Sequence, residues 1–480
     1  MPNSLTVATA IPYVNNVPHI GNILTTLAGD ITARYGRMQG ADVWFTAGTD
    51  ENATKVKEAA EKAGKPVDIF VREVADRFID IYEQIGVSYD AFVRTNSAEH
   101  AQTSQALFSK LQEAGTIYVG TYEGWYDVST ETFFKEADLV DGKSPDGNEV
   151  RWVSEQNYFF KLSAFEEPLL KLIESGELRI LPESRKNEVV SFIRQGLRDA
   201  CISRSNNGWG VEVPGDPSQT IYVWFDALIN YITAVGWPGE GWQAKWPAAV
   251  QWVGKDILTR FHATLWPAML LGAGLPIPKA VVAHGWILLG GEKISKSKGN
   301  VVLPLEVAGQ LSTDTGTQPE IAIDALRYWM AATMPFEGDA TYTDEDFGKR
   351  YNGDLANDLG NALNRSLAMA HRFVEGKVPD APLDPEVVEA VRGAKSGAEH
   401  AMSEYRIDRA TGAGLELIRF LNKYIDQRAP WALAKSTDAS LGSVMRSMLF
   451  ALRSAEGLLR PIMPSACDAI ARQLGLDPLI

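Results

Sequence analysis

The stretch SLTVATAIPYVNNVPHIGNILTTLAGDITARY, residues 4–35, decides the fold. Its first ten residues form a largely apolar run that reads as a buried strand. From residue 19 onward, apolar side chains at Ile20, Ile23, Leu24, Leu27, Ile31 and Tyr35 recur at helical spacing. The segment is therefore strand, loop and helix. A histidine, one of only 6 in 480 residues, stands where the helix would begin, and Gly21 two positions on lets another group approach the backbone. Helix N-termini present unpaired N–H groups and the positive end of the macrodipole, so an anion is expected at His19.

Outward from this stretch, ADVWFTAGTDEN supplies a second strand ending in the acidic turn Asp50-Glu51. Helical patterns at 51–63 and 68–85, the strand AFVRT and a helix over 98–114 continue the alternation. Alternation of this kind predicts an α/β fold, a doubly wound, Rossmann-type parallel sheet whose ligands gather at the carboxyl ends of the strands. Residues 12–22 and Asp50 fall at those ends. From about residue 116 the chain becomes aromatic, turn-rich and short in period, which reads as an antiparallel β insertion. Alternation resumes with YVWFDALINYITAVG, AVQWVGKD, LTRFHATLWPAMLLGAG and KAVVAHGWILLGG. The sheet is thus split, with catalytic halves expected at 1–115 and 219–300, a β-rich connective domain at 116–218, and a linker at 301–345. After 345 only helical patterns remain, so 346–480 is expected to be an α-helical bundle. No internal repeat is present, and only GKVPDAPLDPE, residues 376–386, resembles a low-complexity loop.

Composition sets outer bounds. The two cysteines, Cys201 and Cys467, are far apart in sequence, which points to a reducing cytoplasm and no structural disulfide. The N-terminus lacks a basic leader region, and no run approaches the ~18 to 20 apolar residues of a membrane span. A formal charge of −15 argues at first against a polyanionic partner. Its distribution reverses that conclusion, because residues 346–480 hold 17 Lys and Arg against 17 Asp and Glu. The acidic excess lies in residues 1–345, and the helical end is neutral and arginine-rich.

The second informative stretch is GGEKISKSKGN, residues 290–300, a glycine-flanked loop with three lysines. Alone it reads as a solvated turn. Paired with His-x-Gly after the first strand of a split α/β sheet, it would flank the same crevice and hold a triphosphate from two sides, leaving reaction at the α-phosphorus.

PHIGN and KISKS, 274 residues apart from His19 to Lys293, resemble the two signatures of class I aminoacyl-tRNA synthetases. TAIPYVNNVPHIG, FTAGTDEN, YVWFDALINY, GKDILTRFHATLWPAML and YIDQRAPW are similar to the methionyl branch, from the first strand to about residue 435. The resemblance implies ATP-dependent ligation of methionine to its cognate tRNA through methionyl adenylate. The α-phosphate gains negative charge in the transition state, so an imidazole at a helix start and two mobile ammonium groups suit the chemistry. His19, Asn22, Lys293 and Lys296 are therefore the catalytic candidates, with Gly21 and Gly285 joining them around ATP and Lys298 a solvated neighbour. Asp256 is a weaker candidate for organising ATP that could instead cap its own helix.

By motif position the methionine pocket falls on Ile11, Tyr13, Trp224, Leu228, Tyr231 and His262, with Asp50 taking the α-ammonium. An uncharged, polarizable thioether calls for such an aromatic and aliphatic lining. The spacing of Trp224, Leu228 and Tyr231 equally fits a core stripe on one helix. The anticodon candidates are Asn361, Arg365 and Trp431, the first two i, i+4 neighbours on the face away from Leu359, Leu363 and Leu367. An amide, a guanidinium and an aromatic ring suit splayed, stacked bases, although Trp431 behind Pro430 could also pack into the bundle.

Three departures from the family pattern bear on the expectations. Asn22 stands where many relatives carry His, and its amide is expected to donate to phosphate. Asn52 stands where relatives often have His. The insertion lacks the cysteines that bind zinc in many relatives, so no metal site is expected. The expected cofactor is ATP with Mg2+, and the expected partners are initiator and elongator methionine tRNAs, with no membrane association and a monomeric state. A class I synthetase for another amino acid, or an inactive tRNA-binding paralogue, are the alternatives.

Overall fold

The computed structural model describes residues 4–15, 17–127, 132–293 and 301–476. The chain begins with β1 (Ser4–Thr9), α1 (Ile20–Met38), β2 (Asp42–Thr49), α2 (Thr54–Lys62), α3 (Val67–Gln84), β3 (Ala91–Arg94) and α4 (Ala98–Glu113). The insertion follows with β4 (Ile117–Asp127), β5 (Thr132–Phe134), β6 (Val150–Phe160), α5 (Glu166–Ser175), β7 (Arg179–Leu181) and α6 (Glu183–Arg194). Four short strands close it: β8 (Ala200–Cys201), β9 (Ser203–Ser205), β10 (Glu212–Val213) and β11 (Asp216–Ile221). Next come α7 (Val223–Leu228), α8 (Asn230–Thr233), β12 (Val250–Gly254), α9 (Lys255–Ile257), a π-helical stretch Leu258–Leu265, α10 (Trp266–Gly272) and β13 (Ala280–His284). Then follow β14 (Ile287–Leu289), β15 (Glu292–Lys293), α11 (Pro304–Thr315), α12 (Pro319–Ala332) and β16 (Ala340–Tyr342). Helices α13 (Asp344–Arg350), α14 (Asn361–Val374), α15 (Pro385–Ser403), α16 (Ile407–Arg428), α17 (Pro430–Ser436), α18 (Leu441–Leu459) and α19 (Pro464–Gln473) complete the chain.

Two compact units emerge, one of Pro2–Pro18 with Gly40–His284, the other of His19–Gln39 with Gly285–Ile480. The first is built on the six-stranded sheet in the order β3-β2-β1-β12-β13-β7, with every pairing parallel. The split sheet expected from the sequence is thus present. It gains an edge the sequence reading missed, because β7 comes from within the insertion and pairs with β13. Residues 162–195 of that insertion are mainly helical rather than β, since Leu169, Ile173, Val189 and Ile193 recur at helical spacing and are fully buried in the core shared with the sheet. The antiparallel part is confined to β4, β5, β6 and β8, with β9 to β11 as a second small sheet. Its loop is held by side chains: Asn148 donates to the buried Asp127 carboxylate at 2.9 Å, and Lys143 pairs with Glu149 at 2.9 Å.

KAVVAHGWILLGG is two strands in separate sheets rather than one. The break falls at Gly285, where a Cβ would lie 1.7 Å from the Gly338 carbonyl oxygen, and whose N–H donates to the Pro335 carbonyl at 2.6 Å. β14 then pairs with β15 and β16 in the second unit. The β14–β15 hairpin turns on Gly290 and Gly291, both at positive φ (60° and 84°), as a tight two-residue connection requires.

In the second unit α1 is pinned by a buried ion pair. Arg327 of α12 donates to Asp30 at 2.7 Å and also to the Ile462 and Pro461 carbonyls at 2.8 and 3.2 Å. Arg34 Nε also donates to Asp30 at 2.9 Å, so two cations share this buried carboxylate.

Candidate active site

His19 is the N-cap of α1. Its Nδ1 accepts the Gly21 N–H at 3.1 Å, while Asn22 Oδ1 accepts the His19 N–H at 3.1 Å, a reciprocal capping box. Because Nδ1 is an acceptor, the neutral ring carries its proton on Nε2, which is the tautomer that can donate to an oxyanion. Gly21 is required locally, since a Cβ there would lie 3.0 Å from His19 Cε1. The Asn22 oxygen closes the cap, which leaves the expected donation to phosphate to its Nδ2–H groups. The Ile20 N–H donates to the Val302 carbonyl at 3.0 Å. The chain beyond the lysine loop is thereby anchored one residue from His19. Lys296 and Lys298 lie outside the described residues, and Lys293 is placed in β15 opposite Leu288. Gly285 has the local packing reason given above, beside which its expected place around ATP is a separate proposal.

The methionine candidates lie in the first unit: Ile11 and Tyr13 follow β1, Asp50 follows β2, His262 follows β12, and Trp224, Leu228 and Tyr231 are on α7 and α8. Tyr13 and Asp50 form a parallel bridge, with the Val14 N–H donating to the Asp50 carbonyl at 3.1 Å and the Asp50 N–H to the Pro12 carbonyl at 2.8 Å. Ile11 lies over Gly48, where a Cβ would approach its Cγ2 to 3.0 Å. The two acidic residues of the turn have separate environments. Glu51 accepts from Thr49 Oγ1 at 2.7 Å and from Arg94 Nε at 2.8 Å, so it is occupied, and burial pushes its pKa upward. Asp50 is 2% exposed.

Trp224 is half-buried and stacks on Phe261, with centroids 4.0 Å apart and planes at 8°. Tyr13 meets the Trp224 ring edge-on at 5.8 Å, and Lys55 Nζ sits 3.1 Å from the centroid of the Tyr13 ring. Tyr231 and His262 are fully enclosed at 1% and 3% exposure. The His262 ring is oriented by the backbone: Nδ1 lies 3.0 Å from the Ile257 carbonyl and must donate, so Nε2 accepts the Tyr231 hydroxyl at 2.8 Å. Burial lowers the His262 pKa to about 4 and raises that of Tyr231, keeping both neutral. His262 belongs to the π-helical stretch Leu258–Leu265, a distortion that often marks functional positions.

Leu228, 2% exposed, and Tyr231 both belong to the main core, as the core-stripe alternative expected, with Ile229 between α7 and α8. Asp256 is exposed and lies in the first turn of α9, whose N-cap position is Gly254. Phe261 and Lys55 were not singled out from sequence. Phe261 is found only through its distant partner Trp224.

In α14, Asn361 is exposed, as expected. The buried stripe differs from the expected one: Ala362, Ser366, Met369 and Ala370 face inward, while Leu363 and Leu367 are only half-buried. Arg365 pairs with Asp426 at 2.5 Å, and its guanidinium carbon lies 6.0 Å from the Trp431 ring centroid. Trp431 is 47% exposed.

The family model described as tRNA synthetases class I (M) matches residues 5–151 and 136–367. The methionine–tRNA ligase of Halalkalibacterium halodurans is 42% identical over 492 residues, covering 98% of this chain and 73% of its own. That of Caldanaerobacter subterraneus subsp. tengcongensis is 40% identical, covering 99% and 74%. Among solved structures, Mycobacterium tuberculosis methionyl-tRNA synthetase in complex with methionyl-adenylate matches with a TM-score of 0.92 at 37% identity, over 99% of this chain and 95% of the other. With two family signatures, a split parallel sheet and near-full-length relatives in agreement, the chain belongs to the methionyl-tRNA synthetase family of class I.

Proposed function

We infer that this protein is a methionine–tRNA ligase working through methionyl adenylate. Near-full-length relatives of that name and a solved relative holding the adenylate carry this conclusion. In the first step a methionine carboxylate oxygen attacks the α-phosphorus of ATP, and the bond to the β-phosphate breaks to release pyrophosphate. In the second, a ribose hydroxyl of the tRNA terminal adenosine attacks the methionyl carbonyl carbon, AMP leaves, and the hydroxyl proton passes to solvent.

Site roles follow from chemistry. The His19 Nε2–H, Lys293 and Lys296 stabilise charge at the reacting phosphate, where preorganised donors act most strongly. Asp50 takes the α-ammonium, and Ile11, Tyr13, Trp224, Leu228, Tyr231 and His262 hold the side chain. The neutral Tyr231–His262 pair supports selection of an uncharged thioether, since a charged substrate would gain no counter-ion there. ATP enters as its Mg2+ complex, with the ion held largely by phosphate oxygens and water. Gly21, Asn22, Gly285 and Asp256 shape the nucleotide end. Asn361, Arg365 and Trp431 read the anticodon of initiator and elongator tRNAs alike. The enzyme acts as a cytoplasmic monomer, and its insertion folds without zinc on the Asn148–Asp127 and Lys143–Glu149 contacts.

ATP–pyrophosphate exchange with a panel of amino acids tests this reading. Exchange with methionine alone supports it, and a response to leucine or valine instead of methionine overturns it. Metal analysis and light scattering address the remaining points: bound zinc or a stable dimer would refute them.

A further inference from the structure

One buried titratable cluster has no part in these roles. Asp226 lies in α7 between Trp224 and Leu228 and is completely enclosed. Its carboxylate gathers donors from separate elements. Oδ2 accepts from Asn52 Nδ2 at 2.7 Å, and Oδ1 accepts from the Ser104 hydroxyl at 2.7 Å and from His100 Nε2 at 3.1 Å. The other nitrogen of His100 lies 3.0 Å from Thr233 Oγ1 in α8.

Asn52 stands two residues beyond Asp50, just past β2. Its amide also donates to the Thr95 carbonyl at 2.9 Å. With an acceptor on each side its orientation is forced, since a flipped amide would set oxygen against oxygen. One carboxylate therefore ties the segment carrying Asp50 to the helix carrying Trp224, through a charge-assisted bond in a low-dielectric interior where such bonds are strongest.

We propose that Asp226, through Asn52, is the positioning residue of the methionine site and fixes the span between Asp50 and Trp224. The inference rests on the reading that these two groups receive the two ends of the amino acid. A bound methionine must reach from its ammonium to its thioether, so that span is a selectivity quantity. Asp226 does not touch substrate. Ser104 bonds the same carboxylate from α4, which carries no pocket residue, and so provides a control for loss of stability alone.

The test is ATP–pyrophosphate exchange with Asn52→Ala, Asn52→His and Ser104→Ala, alongside thermal melts. Asn52→Ala is expected to raise the methionine KM on the order of tenfold, the factor set by one hydrogen bond to a charged group. The ATP KM should stay within twofold. Asn52→His restores an N–H and should bring the methionine KM back to within about threefold of wild type. Ser104→Ala should lower the melting temperature about as much as Asn52→Ala while leaving the methionine KM within about twofold. Equal KM shifts in Asn52→Ala and Ser104→Ala, or a methionine KM unchanged in Asn52→Ala, would overturn the proposal. Asn52→Ser is carried in parallel and read by the same criteria, so a folding failure of the alanine variant does not stop the test. Should wild type itself show no methionine-dependent exchange, the pocket assignment fails rather than this inference.

Discussion

Replacing Tyr231 with Phe removes one oxygen and almost no volume. The His262 ring cannot turn to compensate, because its Nδ1–H is held by the Ile257 carbonyl at 3.0 Å. Nε2 then faces an apolar ring in a site where both side chains are almost wholly enclosed. A buried acceptor that loses its donor costs about 1 to 3 kcal/mol. At about 1.4 kcal/mol per tenfold, and with the pair lining the thioether slot, kcat/KM for methionine should fall roughly 5- to 150-fold. ATP–pyrophosphate exchange with methionine varied at saturating ATP measures this, and the ATP KM serves as the internal control. Wild-type parameters for both substrates, together with a lowered melting temperature, would show that the hydroxyl–imidazole pair serves the core and not the pocket.

Other perturbations read other parts of the molecule. The His262 pKa of about 4 lies below its ordinary 6.5, so between these values the unfolded chain binds a proton that the folded one does not. The contribution to stability is thus intact above pH 6.5 and is lost toward pH 4, by up to about 3 kcal/mol. The melting-temperature advantage of wild type over His262→Gln should shrink between pH 7.5 and 5.0, and a constant difference would refute the shift. Arg365→Ala and Trp431→Ala should each raise the tRNA KM in aminoacylation by about tenfold or more, while exchange without tRNA stays unchanged. Loss of exchange would place these residues in the fold and not the anticodon site. Gly285→Ala forces a Cβ to within 1.7 Å of the Gly338 carbonyl oxygen and should yield little soluble protein. A variant with wild-type melting temperature would contradict the packing described there.

What the sequence made legible was local and periodic. Helix α1, with its cap at His19 and its apolar residues at 20, 23, 24, 27 and 31, is written in consecutive residues, as are the parallel strands with their near-continuous apolar runs. The missed features depend on distant partners. Strand β7 is only the three residues RIL between two helices, and it becomes a strand because β13 offers an open edge. The break between β13 and β14 is imposed at Gly285 by the Gly338 carbonyl, 53 residues on. The Trp224–Phe261 stack joins residues 37 positions apart, and Phe261 sits in the π-helical stretch Leu258–Leu265. Asn52 and Asp226 are 174 residues apart, and nothing near either announces the other. Arg365 and Trp431 were visible as residue types, whereas the Asp426 pairing that orients the guanidinium was not.

The central claim is that the His19 imidazole, held by Gly21 and Asn22 with Nε2 as its donor, stabilises the reacting α-phosphate. The most direct measurement is the single-turnover rate of methionyl adenylate formation by His19→Ala at saturating ATP and methionine, with methionine affinity determined separately. The account predicts a rate about a hundred- to a thousandfold below wild type and an unchanged methionine Kd. A rate within threefold of wild type would contradict it.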